Sequence, residues 1–293
     1  MTTTKQTIES LNALVRLTAD EVLGEYAASK LQANELAFTV IDLTSPDSPE
    51  QADFRGEEPI FPASVVKLFY LVAAHHWLED KKIERTEELQ RALKDMIVDS
   101  SNDATHYVVD LLTDTTGGPE LPSDQMAVWQ KKRGVINIYF ASQGYDNLNV
   151  CQKTWGDGPY GRERASYGKD YENRNKLTTN ATARLLAEIA TGKAVSRGRS
   201  EEMMQLLKRD FTRKSDDPDD QATGFIGAVL PNDAKLWSKA GWMSTARHDA
   251  AYIELANGVR FVLVVFNTNH AKEYSILQSV ARKCLAGLLS LHA

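Results

Sequence analysis

The chain has 293 residues, 42% of them hydrophobic and 25% charged, enough to bury a sizeable core in one large domain or two modest ones. A net charge of −6, with both signs interspersed, offers no basic field for nucleic acid or an anionic membrane surface. No run of about 18 apolar residues occurs, so no membrane span is expected. The opening Met1-Thr2-Thr3-Thr4-Lys5 lacks the roughly 7–15-residue apolar stretch of a signal peptide. As written, the chain is expected in the cytoplasm, or in the periplasm or outside the cell if an export signal has been removed.

Taken in chain order, residues from Thr7 to Leu31 carry apolar side chains at helical spacing, among them Leu11, Leu14, Val15, Val22 and Leu23. Leu36 to Asp42 reads as a strand, and Ser45-Pro46-Asp47-Ser48-Pro49 as a turn. From Ala63 to Trp77 runs a nearly unbroken apolar helix, Val65-Val66 through Leu78, too hydrophobic to lie on a surface. Helices are expected at about 86–97, 102–113, 123–132, 180–191 and 200–209. Between them, 154–179 is polar, rich in Gly and Tyr, and weakly periodic; so long an irregular segment inside a domain is usually functional. Strands return at 234–238, 248–255 and 259–266. Asn257-Gly258 joins the last two, with both turn positions expected at positive φ. A helix from Lys272 to Leu288 closes the chain. The pattern predicts an α+β fold: an antiparallel sheet flanked by the N- and C-terminal helices, with an all-helical lobe inserted. A single domain is expected over 1–293, its α/β lobe being about 1–60 plus 215–293 and its helical lobe about 61–214.

Two cysteines, Cys151 and Cys284, could form one bridge, but two unpaired buried thiols are the preferred reading. His75-His76 are read as helix-surface or core-edge residues, no H-x-x-x-H pair exists, and neither a metal nor a cofactor is expected. The acidic run 215–220 reads as a solvated loop.

S-x-x-K occurs twice, at Ser64/Lys67 and Ser166/Lys169. Ser64 opens the buried apolar helix, where residues i and i+3 share a face and the Lys67 amine can approach the Ser64 hydroxyl. Burial disfavours an ammonium, which lets a lysine act as a base near neutral pH. Ser166 sits in a polar loop with no apolar helix after it. Acyl transfer also needs a second proton shuttle and hydrogen-bond donors that grip the substrate. Ser100-Ser101-Asn102 supplies an S-x-N element between two helices, and Lys239-Ala240-Gly241 a K-x-G element on a strand.

In this order and context the three motifs resemble those of class A β-lactamases and penicillin-binding proteins. Phe54-Arg55-Gly56 leading to Phe61-Pro62-Ala63, Thr116-Gly117-Gly118-Pro119, and Thr178-Thr179 opening a helix that ends Ala190-Thr191-Gly192 extend the likeness from about Leu36 to the C-terminus. The resemblance implies that Ser64 attacks the acyl carbonyl, Lys67 takes or relays its proton, and Ser100 passes a proton to the leaving nitrogen. It implies that Asn102 binds the substrate amide and helps place Lys67, while Lys239 supports Ser100 and attracts the substrate carboxylate. Backbone N–H groups of Ser64 and Trp242 would form the oxyanion hole, with Gly241 keeping the strand edge open. Arg247 is either a carboxylate anchor or an ordinary surface arginine.

Five departures from class A stand out. The Ser64–Ser100 gap is short; Ser101 replaces the usual Asp; Ala240 removes a hydroxyl that would contact the substrate carboxylate; and bulky Trp242 narrows the cleft. The last departure is that E-x-x-L-N, whose glutamate activates the deacylating water, is absent: Tyr167 and Lys176 stand four residues after Glu163 and Glu172. Glu163 is the better placed of the two, against the alternative of a solvated loop carboxylate. The expected function is a β-lactamase-like serine hydrolase acting on a small-molecule β-lactam or peptide-like substrate. The alternatives are a D-alanyl-D-alanine peptidase or esterase with slow deacylation, and a non-catalytic binding protein. Oligomeric state is not legible.

Overall fold

Alternating burial on long apolar strands decides the architecture. The computed structural model describes residues 10–45 and 47–293. Six strands form one sheet: β1 (Leu36–Asp42), β2 (Glu50–Phe54), β3 (Lys208–Arg209), β4 (Lys235–Met243), β5 (Ala246–Glu254) and β6 (Arg260–Thr268). Their order is β2-β1-β6-β5-β4-β3, each pair antiparallel. On β6, Phe261, Leu263 and Val265 face one hydrophobic core while Val262, Val264 and Phe266 face another. Central β6 therefore reads as a continuous apolar run, because both of its faces are covered.

The first core lies under the terminal helices α1 (Leu11–Glu25) and α10 (Ser275–Leu291). Ser10 caps α1 by accepting from the Ala13 N–H at 3.2 Å. The helix stops at Glu25, six residues short of the sequence expectation, and Lys30 then takes φ 64°. Positions 7–9 of the expected helix, like Pro46 of the expected turn, lie outside the described residues. The second core is the helical lobe: α2 (Lys67–Glu79), α3 (Glu87–Val98), α4 (Asn102–Thr113), α5 (Ser123–Arg133), α6 (Val135–Ser142), α7 (Gly161–Ser166), α8 (Thr179–Ala190) and α9 (Arg197–Leu207). Only His76 and Glu79 of α2 escape burial, as its unbroken hydrophobicity demands.

Elements absent from the sequence reading are short or polar. Edge strand β2 buries only Ala52, so no alternating pattern marks it. Helix α6 follows α5 after a single glycine, and α7 has six residues inside the segment 154–179. That segment is tied at its end by isolated bridges of Lys176 to Asn149 and Leu177 to Ile60. The Asn257-Gly258 turn also differs from expectation: only Gly258 has positive φ, 92°, and its N–H donates to the Leu255 carbonyl at 3.0 Å. A wider loop with a left-handed glycine thus replaces the two-residue turn. Cys151 and Cys284 are buried and unpaired, and no helix among the described residues is long and apolar enough to cross a membrane.

The terminal helices touch closely at Gly287, where an added Cβ would overlap the buried Leu14 side chain. Overpacking costs about 1–3 kcal/mol, against about 1 kcal/mol of helix propensity that alanine gains over glycine. Gly287→Ala is therefore expected to lower stability in urea unfolding by up to about 2 kcal/mol. Increased stability would contradict this packing.

Candidate active site

The nucleophile candidate sits on a turn tighter than expected. Residues Ala63–Val66 form a 3₁₀ turn, and the α-helix begins only at Lys67. Ala63, at φ 46°, occupies the left-handed region that alanine seldom adopts. In a 3₁₀ turn residues i and i+3 eclipse, which keeps Ser64 and Lys67 on one side. Two contacts from the sheet hold this turn. His248, buried on β5, accepts from the Asn267 N–H through Nδ1 at 3.1 Å and meets the Phe61 carbonyl through Nε2 at 3.0 Å. The acceptor role of Nδ1 leaves Nε2 as the donor, so the ring is neutral; burial pushes its pKa down to about 4. Gly241 on β4 provides the second contact. A Cβ there would lie 2.7 Å from the Ser64 nitrogen and 2.9 Å from the Pro62 carbonyl, so only glycine lets the strand approach.

Lys67 and Lys239 both have no exposed surface. The Lys67 ammonium donates to the Ser100 carbonyl (2.5 Å), the Ser100 hydroxyl (3.2 Å) and Asn102 Oδ1 (3.0 Å). Lys239 donates to the same Ser100 hydroxyl (2.9 Å), to Gln221 Oε1 (2.5 Å) and to the Ala240 carbonyl (2.8 Å). Ser100 is thus held between two amines, and its φ of 58° is a backbone cost accepted at that place. Burial lowers the Lys67 pKa from its ordinary value to about 7. Lys239 is lowered as well, first by burial and then by the neighbouring Lys67 and Arg209 charges. Ser101 caps α4, accepting from the Ala104 N–H at 3.1 Å. Serine and aspartate serve that position equally well, so this departure from class A leaves the helix start intact.

Ser64, Ser100, Asn102 and Trp242 line a cleft of about 830 Å³, with Phe61, Lys153, Trp155, Tyr167, Tyr171, Arg174 and Met243 among its other walls. Asp99, exposed, is its one lining carboxylate among the described residues. The Lys67 hydrogen bonds run to Ser100 and Asn102, not to Ser64, which leaves the Ser64 hydroxyl facing the cleft without a side-chain bond among the described residues.

Three expected site residues lie elsewhere. Glu163 has no exposure and is neither in the cleft nor solvated; Arg133 (2.6 Å) and Lys153 (3.1 Å) hold its carboxylate. Arg247 is 1% exposed rather than on the surface. Its guanidinium binds Asp219 (2.7 Å) and the Pro218 and Gly224 carbonyls and stacks on Phe225. The acidic run is accordingly pinned to β5, not merely solvated. Ala240 turns its side chain into the core beneath the terminal helices, because alternate strand residues face opposite sides. The second S-x-x-K serine, Ser166, is buried and bonded to Gln152 and the Glu163 carbonyl. Gln221, His248 and Arg174 escaped the sequence reading, since no motif marks a side chain that acts through distant pairing.

The sequence matches the β-lactamase enzyme family over residues 20–288. The chain belongs to that family. Among solved structures it is similar to a β-lactamase from Sphaerobacter thermophilus, at 16% identity and TM-score 0.67, covering 93% of this chain and 97% of that one. It is also similar to PBP-A (18%, TM-score 0.65, 96% and 97% covered) and to the TLA-1 extended-spectrum β-lactamase (13%, TM-score 0.68, 94% and 99% covered). These likenesses establish the β-lactamase/transpeptidase fold. A comparison with curated proteins finds no match.

The buried amine has a stability consequence. Because the folded pKa of Lys67 lies below the ordinary value of 10.5, the unfolded chain binds more protons between pH 7 and 10.5, and folding stability rises with pH across that window. Lys67→Met removes the buried charge. The variant is expected to be more stable than the native chain at pH 7, with the gap narrowing by at most about 1.4 kcal/mol per pH unit towards pH 10. A gap that is constant with pH would contradict the lowered pKa.

Proposed function

We propose that this family member is a serine acyl-transfer enzyme in which Ser64 attacks β-lactams or a related amide or ester. The observation that carries the reading is the Lys67–Ser100–Lys239 chain beside Ser64. With a pKa near 7, Lys67 is half deprotonated at neutral pH and can take the Ser64 proton during attack. Ser100, bonded to both amines, is placed to return a proton to the departing nitrogen. The backbone N–H of Ser64, with Gly241 packed against it, and that of Trp242 would hold the developing oxyanion. Asn102, fixed by its bond to Lys67, is left to contact the substrate amide. This complete proton-transfer set argues against a non-catalytic binding protein.

Release of the acyl group is a separate matter. Glu163 is bound by Arg133 and Lys153, and the one cleft carboxylate among the described residues, Asp99, is exposed. A positioned general base contributes about 10²–10⁴-fold, so we propose that deacylation is slower than acylation by about that factor. The chain would then behave like a penicillin-binding protein more than an efficient β-lactamase.

Intact-protein mass spectrometry after exposure to a penicillin tests both steps. The expected result is a mass increase equal to the whole penicillin, absent from Ser64→Ala, persisting after excess drug is removed. Its rate of appearance should rise with pH through about 7 as Lys67 loses its proton. A label that survives in Ser64→Ala would overturn the nucleophile. Rapid loss of the label would overturn the slow-release reading.

A further inference from the structure

The cleft contains a guanidinium with nothing anionic to hold. Arg174, half-buried, lies in the segment that leads into α8, its guanidinium carbon 3.4 Å from the centre of the Phe61 ring. Among the described residues its Nη2 reaches only Met243 Sδ, at 3.6 Å, on the opposite wall beside the β4–β5 turn. No carboxylate among the described residues pairs with it. The other cation lining the cleft, Lys153, is bound by Asp110 (2.6 Å) and Glu163 (3.1 Å). Half-burying an arginine beside an aromatic face and a thioether forgoes part of its solvation without an ion pair in return.

The three positions that sequence motifs nominate for a substrate carboxylate are occupied or lack the group. Arg247 is locked to Asp219 beneath the sheet, and position 240 carries a methyl group turned into the core. Lys239 is not among the lining residues of the cleft and already donates to the Ser100 hydroxyl, Gln221 Oε1 and the Ala240 carbonyl. Phe61, which orients the Arg174 guanidinium, precedes Ser64 by three residues and is itself fixed by His248. Stacking through its face leaves the N–H edge of a guanidinium free, and that edge matches a carboxylate in bidentate geometry. Thioether sulfur is a weak acceptor and is readily displaced.

We propose that Arg174 is the anion-binding residue of this cleft, selecting acyl donors that carry a carboxylate and receiving it from the wall opposite the usual strand. The proposal deepens the acyl-transfer reading and rests on it for the class of ligand. In this arrangement a carboxylate displaces Met243 and joins the segment before α8 to the β4–β5 hairpin across the cleft. Trp155 and Trp242, which line the same space, supply an intrinsic signal.

The test uses the full chain carrying Ser64→Ala, so that nothing reacts, and titrates tryptophan fluorescence with benzylpenicillin and with its neutral methyl ester. Adding Arg174→Gln should weaken binding of the acid by about 10- to 100-fold and alter binding of the ester little. Arg174→Lys should restore part of the loss, as a point charge without the fork. Equal effects on acid and ester, no effect on either, or no binding of either ligand would overturn the proposal. Failure of the acylation reading is seen separately, as loss of Ser64 labelling in the native chain while the acid–ester difference in the unreactive protein persists.

Discussion

Two lysine side chains withdrawn entirely from water meet at one serine hydroxyl, and the surrounding structure is arranged around that meeting. An unpaired buried ammonium is strongly disfavoured, and no carboxylate reaches either amine within ion-pair distance among the described residues. The charge is instead spread over neutral acceptors: two oxygens of Ser100, the amides of Asn102 and Gln221, and one backbone carbonyl. Neutral acceptors satisfy the N–H donors without holding the proton as a carboxylate would. Lys67 therefore remains able to give its proton up near pH 7, which a salt bridge would prevent.

That arrangement is made possible by the sheet and the helical lobe pressing together. β4 carries Lys239 and Gly241 to the α2 turn, and Gly241 allows backbone to touch backbone. Arg209 fixes the other side, donating to the Ile97 and Val98 carbonyls at the end of α3 and to Ser238 on β4. Gln221 spans the same gap, giving its amide to Val98 while accepting from Lys239. The loop before Ser100 and the strand bearing Lys239 are thereby held at a fixed separation. The site lies between two separately packed cores, and its precision comes from these bridging polar groups.

Much of this was legible in the sequence because it obeys local rules. β1 follows its apolar run, α4 starts at its Ser101 cap, and the hydrophobicity of α2 announces burial on every side. The three motifs recover Ser64, Lys67, Ser100, Asn102, Lys239 and Gly241 as neighbours. What escaped depends on pairings distant in the chain. Arg247 looks like a surface residue until Asp219, 28 positions earlier, closes over it. Glu163 resembles a loop carboxylate until Arg133 and Lys153 converge on it. The Ala240 side chain follows strand parity, which a motif written as consecutive letters does not convey. Arg174 belongs to a segment whose polar composition gives no periodicity to place it.

Burial without a counter-ion among the described residues lowers the Lys67 pKa to about 7. The proposal of slow acyl release rests on the same scarcity of carboxylates around the cleft. The most direct measurement is the titration of Lys67 itself by NMR of the lysine side chains, assigned with Lys67→Met. The expected midpoint lies near 7. A midpoint near the ordinary lysine value of 10.5 would contradict it.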